Sequence, residues 1–259
     1  MNFELSYEER GTVAYVRLER PAKRNALTRA MLERLSEIFA GVSARRDLRA
    51  VILSGAGADF CAGTDIAELE SLDEAGARRK AEQGQATCDA IESCGVPVVA
   101  ALQGAAAGGG CELALACHLR VAASDVRFSL PETRLGVIPA YGGTQRLALA
   151  VGRGRALAAM LAGDEIKADE ALRLGLVNRV VAPDKLLDEA DALAQAIVET
   201  SAPLAVRACL EAVTRGARLP LDAGLKLEAE LFASLFSTAD VREGTRAFLE
   251  KRKPVFKGQ

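Results

Sequence analysis

The chain has 259 residues, half of them hydrophobic, and its 33 basic side chains nearly balance 35 acidic ones. This composition is that of an ordinary soluble globular protein, long enough to bury a large core without a metal or a disulfide. The balanced charge argues against a broad nucleic-acid surface, and the absence of Trp, with only 3 Tyr, argues against extensive stacking platforms.

The six cysteines form no C-x-x-C pair and lie mostly in apolar or helical stretches, which indicates reduced, packed thiols. The first residues lack the basic region and apolar core of a secretory signal. The longest apolar run, residues 96–117, is interrupted by Gln103, three glycines and Glu112, which argues against a membrane span. We therefore expect a cytoplasmic protein without membrane or nucleic-acid partners.

Strands and helices alternate along the first two thirds of the chain. Residues 13–18 predict a strand that ends in the polar loop 20–25. Thr28 is a suitable N-cap for a following helix, whose apolar face is predicted to hold Met31, Leu35, Ile38, Phe39 and Val42. Further predicted elements are strands at residues 50–53, 96–102 and 119–123, a long charged helical region ending near residue 94, and helices from residues 113 and 144. This alternation predicts an α/β core.

The last part of the chain changes character after Pro183. Only helical patterns follow, at residues 184–200, 202–214, 221–236 and 240–251. Because the strands stop there, we expect this tail to pack on the core or on another subunit.

A glycine triplet followed by a carboxylate is the most informative local feature. Gly108, Gly109 and Gly110 lie between a predicted strand and a predicted helix, with Glu112 just after them. Free N–H groups at such a helix start stabilise negative charge, and Glu132 adds a second carboxylate for proton transfer. A structural turn and solvated charges are the alternative interpretations. Residues 104–110 do not form the G-x-G-x-x-G pattern of a dinucleotide site.

Several motifs in order resemble the enoyl-CoA hydratase/isomerase, or crotonase, superfamily over nearly the whole chain. They are residues 20–27, the A-G-x-D-I segment at 62–66, residues 104–112, Pro131 with Glu132, G-G-T-Q-R-L at 142–147, and residues 242–253. The resemblance implies an α/β spiral of repeated ββα units at residues 1–200, with the active site, and a C-terminal helical oligomerisation region at residues 201–259.

The resemblance also implies roles for individual residues. Thr64 and Gly109 supply main-chain N–H groups to a thioester oxygen, Glu112 activates water, and Glu132 protonates C2 of a trans-2-enoyl-CoA. A protonated Glu132 needs a raised pKa, which we expect from apolar surroundings such as Phe128, Leu130 and Ile138. Many relatives carry Ala at position 64 and Lys at position 67, where this chain has Thr64 and Ala67.

Substrate contacts are implied at nine further positions: Lys23, Arg24, Ala26, Ala62, Asp65, Ile66, Gly108, Pro131 and Lys251. For Asp65 an N-cap is the simpler role, with only its backbone near ligand. The basic residues would meet the phosphates of coenzyme A, which is substrate and not cofactor, although surface charge explains them equally well. His118 is the single histidine, so a multi-histidine metal site is excluded, and we expect no metal.

The prediction is therefore a cofactor-independent enoyl-CoA hydratase that forms a homotrimer or a hexamer of two trimers. Alternatives on the same site are double-bond isomerisation and hydration of a cyclic dienoyl-CoA. A non-catalytic CoA-binding scaffold is the alternative from another class. Tyr141 either lines the acyl pocket or packs, and it is given no role.

Overall fold

A computed structural model describes residues 4–259. The strands are β1 (Leu5–Arg10), β2 (Val13–Leu18), β3 (Ala50–Gly55), β4 (Val98–Leu102), β5 (Ala105–Ala107), β6 (Leu119–Ala123), β7 (Arg127–Ser129), β8 (Ile166–Lys167) and β9 (Arg179–Val181). The α-helices are α1 (Arg29–Ala44), α2 (Glu74–Glu92), α3 (Gly109–Ala116), α4 (Gly143–Val151), α5 (Arg153–Leu157), α6 (Ala168–Arg173), α7 (Leu186–Thr200), α8 (Pro203–Gly216), α9 (Leu221–Leu235) and α10 (Ala239–Leu249). Short 3-10 turns include Ile66–Glu68 and Glu132–Leu135.

Six strands form one sheet in the order β1-β2-β3-β4-β6-β9, in which β1 pairs antiparallel with β2 and all other pairs are parallel. Every residue of β3 and β4 is buried, as expected of parallel strands that are covered on both faces. Helix α7 packs on one face of this sheet through Leu186, Ala190 and Ala194. The larger core lies on the other face, beneath α1, α2 and α3.

A second sheet holds three short strands in the order β5-β7-β8. Cys61 extends it through a parallel bridge to Ala106 of β5. The chain therefore repeats one path: a strand in the large sheet, a short segment in the small sheet, then a helix. β3, Cys61 and α2 form one turn, β4, β5 and α3 the next, and β6, β7 and α4 the third. This is the predicted α/β spiral of ββα units.

Local sequence patterns correctly predicted most of the long helices and strands. The Thr28 hydroxyl caps α1 by accepting from the Met31 N–H at 3.2 Å, and the five predicted apolar residues of α1 are buried. The predicted strands at 50–53 and 96–102 are β3 and β4, each shifted by two residues at one end.

The conformation of the glycine triplet, Gly108 to Gly110, differs from the predicted turn. Helix α3 begins at Gly109 rather than near residue 113, so Gly109 and Gly110 are helical and only Gly108 has a positive φ, of 50°. A Cβ at Gly110 would lie 2.4 Å from the Cys61 carbonyl oxygen. These two helical glycines thus serve close packing rather than a turn.

The tail is helical, as predicted. α8 packs against α9, and neither helix has a buried residue. Large apolar side chains of α9 and α10 remain exposed, among them Phe232 and Phe248, as does Phe236 just after α9. The end of the chain folds back on α10, where the Asp240 carboxylate accepts from the Lys257 N–H at 2.7 Å and the Gly258 N–H at 2.8 Å. Among residues 4–259, no helix combines the length and apolar character that crossing a bilayer requires.

Candidate active site

A cavity of about 840 Å³ lies where the two sheets' loops meet α2 and the start of α3. Its polar floor is formed by Thr64, Gly109, Glu112 and Glu132. Apolar side chains surround its mouth, and several are strongly exposed: Ile66, Leu72, Leu135, Val137 and Ile138. Such an apolar cleft with a few convergent polar groups is the usual form of a small-molecule site.

The Thr64 N–H points away from the neighbouring segment that contains Leu27. Leu27 forms a parallel bridge with Thr64, in which the Leu27 N–H donates to the Gly63 carbonyl and the Asp65 N–H donates to the Leu27 carbonyl. Because peptide groups alternate along an extended segment, the Thr64 N–H between them points to the opposite side.

The second N–H belongs to Gly109, the first residue of α3, which has no acceptor within its own helix. A Cβ at Gly63 would come 3.0 Å from the Ala107 carbonyl oxygen and 3.5 Å from the Gly109 nitrogen. The segments that carry the two donors are therefore packed as closely as glycine allows. Main-chain N–H groups at the start of a helix or in a turn are donors that can stabilise an oxygen gaining negative charge.

Glu112 lies one turn into α3 and is 2% exposed. Its Oε1 accepts from the Tyr141 N–H at 2.8 Å and from the Gly143 N–H at 2.7 Å. Burial raises the pKa of Glu112, while these two donors and the Arg146 charge act against the rise. The two donors thus oppose part of the effect of burial on the Glu112 pKa, and they fix the orientation of the carboxyl group.

Glu132 follows β7 and Pro131, at the start of a 3-10 turn. Its Oε2 is buried without a hydrogen-bond partner among residues 4–259. Burial, and secondarily the Glu112 charge, raise the pKa of Glu132 to about 7. Of the expected apolar neighbours, Phe128 and Leu130 are buried but Ile138 is 67% exposed. The two carboxyl groups of the cavity thus differ in environment, which is the condition for separate acid and base roles.

The loop that holds Glu112 is itself tied to α2 by Arg146. The Arg146 guanidinium donates to the Tyr141 carbonyl at 3.0 Å and forms ion pairs with Asp89 and Glu92 of α2 at 2.6 and 2.7 Å. Arg146 and Gly143 belong to the G-G-T-Q-R-L motif, but the sequence-based prediction gave neither of them a role. The signal that could have identified them is the length of that motif, which extends beyond any need for a simple turn.

Tyr141 is also part of the cavity wall. Its ring lies against α2 and α3, where a Cβ at Gly84 would be 1.9 Å from Cδ1 and a Cβ at Gly109 would be 2.9 Å from Cε2. The Thr64 hydroxyl donates to the Tyr141 hydroxyl oxygen at 2.9 Å. Burial raises the pKa of Tyr141 to about 12, so the phenol is neutral. The sequence offered no sign of this pair, whose members are 77 residues apart.

The structure brings some of the predicted site residues together and not others. Those that line the cavity are Ala62, Thr64, Ile66, Gly108, Gly109, Glu112, Pro131 and Glu132. Those that do not line it are Lys23, Arg24, Ala26, Asp65 and Lys251. Arg24 forms an ion pair with Asp59 at 2.7 Å. Asp65 caps its 3-10 turn, accepting from the Ala67 N–H at 3.1 Å, and pairs with Arg20 at 2.7 Å, which agrees with the simpler role expected for it.

Other reactive side chains are occupied elsewhere. His118 accepts from the Val98 N–H at 3.0 Å through Nδ1, so Nε2 carries the proton and donates to the Glu92 carbonyl. Five cysteines are buried and Cys209 is exposed, and all are free thiols. Within residues 4–259, no group of three or more His, Cys, Asp or Glu side chains is arranged to hold a metal ion.

Residues 8–259 match the family model for enoyl-CoA hydratase/isomerase, so the chain belongs to that family. The sequence-based identification of the family, and of the chain as one of its enzymes, is confirmed.

Relatives cover nearly the whole chain. It is 41% identical to a short-chain-enoyl-CoA hydratase of Clostridium acetobutylicum, over 95% of this chain and 94% of that protein. It is also 41% identical to a crotonyl-CoA hydratase of Syntrophomonas wolfei, over 98% and 97%. The crystal structure of an enoyl-CoA hydratase from Bacillus anthracis, 38% identical, superposes with a TM-score of 0.94 over 99% of this chain and 100% of that one. The crotonase-like fold predicted from sequence is therefore confirmed.

Proposed function

We propose that the protein reversibly adds water to a short-chain trans-2-enoyl-CoA to give the 3-hydroxyacyl-CoA. The observation that carries this proposal is the unequal carboxyl pair at one cavity, in which Glu112 is held by two N–H donors and the buried Oε2 of Glu132 has no hydrogen-bond partner among residues 4–259. The names of the Clostridium and Syntrophomonas relatives support the choice of a short acyl chain.

Negative charge develops first on the thioester oxygen. As water attacks C3, the C2–C3 π electrons move toward the thioester carbonyl and form an enolate. The Thr64 and Gly109 N–H groups would donate to that oxygen, and removal of one such donor typically costs about 10²- to 10³-fold in rate. Main-chain donors in a preorganised site need no rearrangement as the charge grows.

Protons then move between water and the two carboxyl groups. Glu112, ionised, takes one proton from the attacking water, whose hydroxyl group bonds to C3. Glu132, protonated, gives its proton to C2 as the enolate collapses to the thioester. Proton exchange with solvent returns both groups to their starting forms. A pKa of about 7 suits a group that both gives and recovers a proton near neutral pH.

The remaining parts of the substrate would contact the cavity mouth and the surface near it. The exposed apolar side chains at the mouth suit the pantetheine arm. Lys23, Arg24 and Lys251 stay as proposed contacts for the phosphates of coenzyme A. Arg24 is the weakest of the three because Asp59 already neutralises it.

The test is hydration of crotonyl-CoA, followed by loss of the conjugated-enoyl absorbance. We expect Glu112→Gln and Glu132→Gln each to lower kcat by about 10²- to 10⁴-fold, the range for general acid–base groups, with little change in CoA binding. Glu70→Gln is the matched control, because Glu70 is exposed and outside the cavity lining. Wild-type rates in either cavity variant would refute the two-carboxylate mechanism.

The same assay separates the alternatives. Activity on a 3-enoyl-CoA or a cyclic dienoyl-CoA, without hydration of crotonyl-CoA, would identify another reaction of this family. Tight binding of CoA thioesters without turnover of any of them would identify a scaffold.

We also propose that the protein assembles as a homotrimer or as a hexamer of two trimers. The exposed apolar side chains of α9 and α10 support burial at a subunit contact. Mass measurement in solution tests this, and a clean monomer at micromolar concentration would contradict it.

A further inference from the structure

The hydrogen-bonded pair of Thr64 and Tyr141 is not needed for the proton transfers or for the enolate. Both hydroxyl groups nevertheless meet inside the catalytic cavity at 2.9 Å. Tyr141 is 3% exposed although it lines a cavity of about 840 Å³. A large ring held this firmly forms a wall of the cavity.

The ring is fixed from three directions. Gly84 of α2 leaves the space for one edge, since a Cβ there would overlap Cδ1 at 1.9 Å, and Gly109 of α3 leaves the space for the other. The hydroxyl is held by Thr64. Because the surrounding groups are helix backbone, the ring cannot move aside without shifting α2 or α3.

The wall lies directly behind the carboxylate that would act on C3. The Tyr141 N–H bonds to Oε1 of Glu112, and the Tyr141 ring contacts the Gly109 residue whose N–H faces the thioester oxygen. The Tyr141 residue thus borders the space between the Gly109 N–H and the Glu112 carboxylate, where the proposed mechanism puts the acyl group.

We propose that the Tyr141 ring sets the acyl-chain length by limiting the cavity, so that crotonyl-CoA is accepted and longer chains are rejected. This inference rests on the proposed function and adds its specificity. Discrimination by one excess methylene in an apolar pocket is about 10- to 200-fold, so a fixed aromatic wall is sufficient for strong selection.

The experiment compares wild type with Tyr141→Ala and Tyr141→Phe. Kinetics with trans-2-enoyl-CoAs of four, six and eight carbons give the ratio of kcat/KM for the eight-carbon to the four-carbon substrate. We expect Tyr141→Ala to raise this ratio by at least about 10-fold. Tyr141→Phe keeps the ring that forms the wall, so its ratio should stay within about 3-fold of wild type.

Binding of butanoyl-CoA and octanoyl-CoA, measured by calorimetry, keeps the test independent of turnover. In wild type the longer chain should add no affinity, whereas in Tyr141→Ala it should add about 10-fold or more. Equal affinity of Tyr141→Ala for butanoyl-CoA and octanoyl-CoA, or a kcat/KM ratio unchanged from wild type, would overturn the proposal. If hydration fails with every substrate but binding selectivity changes as expected, the hydratase proposal is wrong, whereas the proposal that Tyr141 limits acyl-chain length is supported. Tyr141→Leu, which fills more of the space, serves if the alanine variant does not fold.

Discussion

Replacing Glu132 by glutamine should change the pH dependence of stability in a predictable direction. Burial raises the pKa of this carboxyl from 4.5 to about 7. The unfolded chain therefore ionises Glu132 at lower pH than the folded protein does. The stabilising protonated form is fully present below pH 4.5 and is lost as the pH rises through 7, so wild type loses stability across that window. The amide of the Glu132→Gln variant cannot ionise, so the variant has no such loss.

The size of the effect follows from the raised pKa. At about 1.4 kcal/mol per pH unit, a rise from 4.5 to about 7 corresponds to about 3.5 kcal/mol. The side chain is only half-buried and lines a water-accessible cavity, so screening reduces our expectation to about 2 kcal/mol. The free energy of unfolding of the variant, relative to wild type, should rise by this amount between about pH 5 and pH 8.

Urea denaturation at a fixed protomer concentration measures this difference at each pH. A pH-independent offset is expected as well, because the new amide at the buried Oε2 position lacks an acceptor, and this offset cancels in the comparison. A difference that stays constant across this pH range, or that falls, would refute the assignment of a protonated Glu132.

Two further changes test the contacts that hold the site and the tail. Gly143→Ala places a Cβ 2.9 Å from both Cγ and Oε1 of Glu112. We therefore expect kcat to fall about 10²-fold with a small change in KM. Gly154→Ala is the control, because its Cβ meets no atom within 4 Å, and it should leave the kinetics of the same assay unchanged. Asp240→Ala removes the acceptor of the Lys257 and Gly258 N–H groups, and should cost about 2 kcal/mol in urea denaturation and speed carboxypeptidase trimming of the last residues. Asp184→Ala, at an exposed site, is its control, and equal trimming of both variants would contradict the clamp.

Features decided by neighbouring residues could be predicted from the sequence. The cap at Thr28 and the buried face of α1 depend on spacing within one helix, and both are present as expected. The small sheet was missed because β5, β7 and β8 have three residues or fewer, which is too short for an alternating pattern. β1 was missed as well, because only Leu5 of its six residues is buried and the strand carries no apolar alternation.

The candidate site likewise has features that could be predicted from the sequence and features that could not. Glu112 and Glu132 were predicted to act together only through family resemblance, since nothing in a spacing of twenty residues places two carboxylates at one cavity. The contact of Gly143 with Glu112 and the bond between Thr64 and Tyr141 depend on how the turns of the spiral stack. Such contacts between distant segments carry no local signal.

The two N–H groups on the floor of the cavity have a consequence for how the site can evolve by mutation. They belong to the main chain of Thr64 and Gly109, at the meeting of two spiral turns, whereas the walls are side chains of loops and of α2. Under the proposed mechanism, substitutions in the walls can therefore change which acyl group fits without removing either N–H donor. The scaffold separates the fixed chemistry from the adjustable selection of substrate, and this separation makes new specificities accessible by one mutation at a time.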